Sequence, residues 1–92
     1  MAQTPEINIE NLPRLRNSGA LGLPIGLTRV QSGCQGCEVS TVRYQGGWYE
    51  TVAFPLDGQG SAMEPMITNT RPLAERIHEF AVQVAALALQ TK

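Results

Sequence analysis

CEVSTVRYQGGWYETVAFPL, running from Cys37 to Leu56, contains two β-branched and aromatic runs separated by Gly46-Gly47. Such a dipeptide can hold positive φ at both central positions of a tight turn, so the stretch predicts a β-hairpin. With those two glycines as the loop, Arg43 falls opposite Glu50, Thr41 opposite Val52, Val39 opposite Phe54 and Cys37 opposite Leu56. These pairs share one side of the ribbon because side chains alternate with period two. The base of that side is apolar and is expected in the core. The other side pairs Tyr44 with Tyr49, Val42 with Thr51 and Ser40 with Ala53, which offers two phenol rings to a partner.

Isolated hairpins are marginal in water, so further elements must cover this one. On the N-terminal side, Ile25 or Leu27 to Gln31 suits a strand, and Ser32-Gly33-Cys34-Gln35-Gly36 supplies turn residues. On the C-terminal side, Pro55 ends the ladder for want of an N–H. A connector over 56–69 follows, with Met63, Met66 and Ile67 as anchors. Residues 70–90 then predict a helix, with Asn69 or Thr70 as cap, Pro72 in the first turn and Leu73, Ile77, Phe80, Val84 and Leu87 at steps of four and three. Laid across the hairpin, that stripe is expected to bury Ile77 and Phe80 against Val39, Val52 and Phe54. The fold class expected is α+β, a small three-stranded antiparallel β-meander over 25–55 covered by one C-terminal α-helix.

Residues 1–24 carry a weak Ile7/Ile9 alternation and then a Gly/Pro/Leu-rich run. Glycine and proline weigh against a helix there, by about 1 and about 3 kcal/mol each. An extended arm is expected, and the glycine spacing fits neither the dinucleotide fingerprint nor the phosphate-binding loop.

With 92 residues and 42% hydrophobic content, the chain supports a single domain. A formal charge of −1, with seven scattered basic residues, argues against nucleic acid as a partner. No apolar run spans a bilayer and the first residues lack a secretory layout, so a cytoplasmic location is expected.

Chemistry concentrates in Cys34-Gln35-Gly36-Cys37, the two cysteines of the chain. Their spacing is half of a zinc ribbon, so Cys34 and Cys37 are the candidate metal ligands and zinc the candidate cofactor, completed by His78 and a carboxylate or by a second copy. A strand follows the pair where a redox-active motif needs a helix start, so neither thiol is expected to act as nucleophile. The one histidine, His78, stands on the helix between Glu75 and Glu79 and is expected in solvent. No catalytic constellation is legible, which favours a non-enzyme.

A second apolar helix face, Val82, Ala85, Ala86 and Leu89, is the expected partner surface for a homodimer or another protein, because a helix apolar nearly all round is a buried helix. Tyr44 and Tyr49 are the second candidate surface. The functional expectation is a non-enzymatic protein-binding module acting as a homodimer; a thiol or zinc-binding protein using Cys34 and Cys37 is the alternative.

Overall fold

Tyr44 and Trp48 close the hairpin around three residues instead of two. The computed structural model, which describes residues 6–12, 22–58 and 63–90, has the Tyr44 N–H donating to the Trp48 carbonyl at 2.8 Å and the Gly47 N–H donating to the Tyr44 carbonyl at 3.0 Å. Gly47 alone of the two glycines takes positive φ, at 84°, as expected where a turn ends in one left-handed residue. That extra residue shifts the register by one. Val39 lies opposite Ala53, Thr41 opposite Thr51 and Arg43 opposite Tyr49, in place of the expected pairs with Phe54, Val52 and Glu50. The shift turns Phe54 outward, 48% exposed, and sends Tyr49, Thr51 and Ala53 to the core. The reason is visible at Glu50. The two-residue loop would aim its carboxylate into the core, an expensive burial; the three-residue loop leaves it to accept from the Tyr44 hydroxyl at 2.9 Å. No neighbour lies within 4 Å of a Cβ added at Gly47, so Gly47→Ala is expected to cost only the left-handed backbone penalty, about 1 kcal/mol. Urea unfolding midpoints measure it.

Among the described residues the sheet has five strands, correcting the three-stranded meander. Asn8–Asn11 forms β1, Gly22–Ser32 β2, Gln35–Tyr44 β3, Tyr49–Pro55 β4 and Met66–Thr68 β5, all antiparallel in the order β1-β2-β3-β4-β5. Two stretches expected to be an arm and a connector thus each contribute an edge strand. Ile9 pairs with Val30 across β1 and β2, and Met66 with Thr51 across β4 and β5. Pro24 is accommodated in β2 by a register irregularity between Pro24 and Gly26, where a missing N–H costs least.

The helix α1, from Arg71 to Gln90, crosses the sheet. Its first backbone bond runs from the Ala74 N–H to the Thr70 carbonyl at 3.0 Å, which makes Thr70 the cap residue. The rotation of α1 differs from the one its leucine stripe predicts. Ala74, Ala81 and Leu89 are buried, with Ile77, His78, Val82 and Ala85 half-buried beside them. Leu73, Phe80, Val84 and Leu87 are 46%, 56%, 46% and 58% exposed. Beneath α1 the sheet offers small side chains, with Val30 and Val39 fully buried and Thr28, Thr41, Thr51 and Ala53 nearly so. Small residues on both layers let helix and sheet approach closely, and close packing sets the phase.

Candidate functional site

At the end of the sheet where β2 turns into β3, Gly33 and Cys34 form a two-residue loop closed by the Ser32–Gln35 pair. Gly33 takes φ of 63° at the first central position, the requirement of the mirror-type hairpin turn. The Gln31 amide donates to its carbonyl at 2.9 Å. Cys34 stands exposed on this turn; Cys37, two residues into β3 from Gln35, is buried beneath α1, and both thiols are free. Burial pushes the Cys37 thiol above its ordinary range, because desolvation penalises the thiolate. The two cysteines line a cavity of about 510 Å³ whose other walls include Ala53, Met63, Ala85 and Leu89. That volume lies within the range of small-molecule sites.

Zinc fares less well than the spacing suggests. Among the described residues, no three His, Cys, Asp or Glu side chains gather closely enough to hold a metal. His78, the expected completing ligand, is turned to a different part of the molecule. It is half-buried between α1 and the sheet, correcting its expected place in solvent, with Nε2 2.8 Å from Thr28 Oγ1 and Nδ1 2.7 Å from Thr41 Oγ1.

Proton counting fixes the direction of this network. The Thr28 hydroxyl donates to Asn11 Oδ1 at 2.9 Å, so Thr28 receives the His78 Nε2–H. Nδ1 then carries the lone pair and takes the Thr41 proton, leaving Thr41 to accept from Thr51, 2.8 Å away. The chain runs Thr51, Thr41, His78, Thr28, Asn11 and ties all of β1 to β4 to the helix. Gly26 makes room for the imidazole; a Cβ there would come within 3.2 Å of the ring. Desolvation lowers the His78 pKa, with Glu79 acting weakly against it. The ring sits at the floor of a 370 Å³ cleft rimmed by Glu75 and Glu79, but both nitrogens are committed to threonine hydroxyls. A hydroxyl that donates to an imidazole lone pair is placed for general-base activation, but the one here belongs to Thr41, which is 1% exposed.

The expected partner residues separate. Leu89 is buried, and Val82 and Ala85 pack against the cluster of Cys37, Val39, Ala53 and Ala81. Ala86 is half-buried. Tyr49 is buried under the helix, while Tyr44 lies on the opposite face, stacked on Trp48 with ring centroids 4.1 Å apart. The register shift divides these two phenols, which the shorter loop would have paired.

No known protein family, curated protein or solved structure matches the chain significantly. Among the described residues no helix is long and apolar enough to cross a membrane.

Proposed function

We propose that this chain is a non-enzymatic protein-binding module that self-associates through the outer flank of α1. The observation that carries the reading is the exposed row Leu73, Phe80, Val84 and Leu87, four large apolar side chains on one helix. With half-buried Ile77 the row keeps steps of four, three, four and three, the 3.5-residue period of a seam between two helices. Scattered exposed leucines need no explanation, but a contiguous apolar row on a monomer surface does. An antiparallel copy centred on Phe80 would set Leu73 of one helix beside Leu87 of the other, so one patch completes itself under twofold symmetry. The burial of Thr41, the hydroxyl that faces the His78 lone pair, supports the non-enzymatic part.

Sedimentation equilibrium of the wild type and of Phe80→Glu with Leu87→Glu tests the proposal. Both positions are exposed, so the double variant is expected to fold and to sediment as a monomer, whereas the wild type dimerises at micromolar concentration. A wild type that stays monomeric at several hundred micromolar would sink the idea. Val82 and Leu89 are unsuited to this test, because charges there would enter the core.

The second reading, a protein that acts through its thiols, is supported by one observation, that Cys34 and Cys37 line the same cavity.

A further inference from the structure

We propose that Cys34, Cys37 and Met63 form a site for a single cuprous ion. The three sulfur-bearing side chains line one cavity, although the whole chain has only two cysteines and three methionines. They come from two separate parts of the fold, the β2–β3 turn with the start of β3 and the stretch ahead of β5, so chain proximity alone does not explain their sharing one cavity. Met63 also packs against the buried cluster that contains Cys37.

Ligand number decides which metal this set fits. A structural zinc ion wants four ligands at tetrahedral angles, and although Asp57 lines the same cavity, no three His, Cys, Asp or Glu side chains gather to hold a metal among the described residues. Monovalent copper is soft, prefers thiolate and thioether sulfur, and is satisfied by two or three such ligands. Calcium and magnesium want cages of several oxygens, and among the described residues Asp57 is the one carboxylate lining this cavity. Apolar walls on one side, Ala53, Ala81, Ala85 and Leu89, shield the Cys37 end of the cavity from water, while Cys34 stands at its solvent-facing end.

The backbone that carries the two cysteines has a defined path. Gly33 and Gly36 both take positive φ, at 63° and 139°, and the Leu56 N–H donates to the Gly36 carbonyl at 3.1 Å. The Gln31 side-chain amide on the Gly33 carbonyl and the Leu56 N–H on the Gly36 carbonyl thus tie the turn on either side of Cys34. Binding is written without redox change: one Cu⁺ joins two thiols, the two S–H protons pass to solvent, and the thioether of Met63 adds a lone pair with no proton to lose. Because both thiols must lose their protons to bind, uptake is expected to strengthen as pH rises.

Anaerobic titration of the full chain with Cu⁺ against a coloured cuprous chelator tests the site. One ion per chain is expected to be withheld from the chelator by the wild type. Cys34→Ser alters an exposed residue, so its circular dichroism should match the wild type while its retention falls at least about tenfold, the scale of effects at metal sites. Met63→Leu should fall by a smaller factor, and zinc should leave every variant on dialysis. A wild type that yields its copper as readily as Cys34→Ser would overturn the proposal. So would one ion per two chains, which assigns the four thiols of a dimer, or Met63→Leu binding that equals the wild type.

Discussion

Gly36→Ala is expected to be among the most damaging single-methyl changes in this chain, lowering stability by roughly 3–5 kcal/mol from backbone strain and overpacking combined. Gly36 has φ of 139°, a conformation L side chains rarely adopt. An added Cβ would also lie 2.0 Å from the Val30 carbonyl oxygen and 2.9 Å from the Gln31 Cα, both of them backbone on the neighbouring strand. Neither can yield without breaking the β2–β3 ladder, where Gly36 pairs with Gln31 and Cys37 with Val30. Val30 is fully buried, so any displacement reaches the core under α1. Domains of this size hold about 5–15 kcal/mol in total, and the loss is therefore a large fraction of it. Urea unfolding of Gly36→Ala beside Gly33→Ala is the measurement. Gly33 has positive φ but open space around it, so its variant reports strain alone. Equal midpoints for the two would show that the close approach to Val30 carries no cost.

The same glycine shows what sequence can and cannot disclose. Its place in a turn-forming run was legible from composition. Its collision with a carbonyl on another strand was not, because that contact depends on pairing. The hairpin over Cys37 to Leu56 follows the same division. Alternation and Gly46-Gly47 announce two strands and a turn, yet the dipeptide serves equally in a two-residue loop and in a three-residue loop ending on Gly47. A one-residue difference reverses every side chain of β4, so Phe54 and Ala53 exchange roles. In α1 the existence and span of the helix were readable from its cap, Pro72 and the apolar spacing. The phase was not, since two apolar stripes run along it and leucines usually outweigh alanines. Threonines at 28, 41 and 51 held the missing signal. Three hydroxyls facing one way need a polar partner, and His78 is the only side chain of α1's inner face that can supply one. The edge strands β1 and β5, four and three residues long, carry too few alternating positions to stand out from loops. The cavity at Cys34 and Cys37 was invisible for a further reason. It depends on alanines of α1 facing the sheet there, and therefore on the phase.

His78→Leu is expected to lower stability by about 2–3 kcal/mol at neutral pH and to remove a pH dependence that the wild type shows. The first part is the loss of two buried hydrogen bonds, each worth about 1 kcal/mol, plus incomplete satisfaction of Thr28 and Thr41, which keep only Asn11 and Thr51 as partners. The second part comes from linkage. Desolvation lowers the His78 pKa below its ordinary 6.5, and of the carboxylates rimming the cleft, Glu75 and Glu79, only Glu79 acts on it, in the opposite sense and more weakly. As pH falls past about 6.5 the unfolded chain takes up a proton that the folded chain refuses, so the unfolded state binds more protons and stability falls with pH. The fall stops once the folded imidazole is also protonated, below its lowered pKa. Above about 6.5 the contribution is fully present and flat. Protonation would also give Nδ1 an N–H facing Thr41, forcing that hydroxyl to reverse toward Thr51 and undoing the one-way chain of donors. His78 is the only histidine, so subtracting the His78→Leu unfolding curve from the wild type's, pH by pH, cancels the carboxylates common to both. The difference is expected to be largest above pH 6.5 and to shrink as the solution is acidified. A difference that stays constant from pH 8 to pH 5 would mean that the ring is as free to protonate as in the unfolded chain, and a difference that grows on acidification would mean that it is held as the cation, with the donor order reversed.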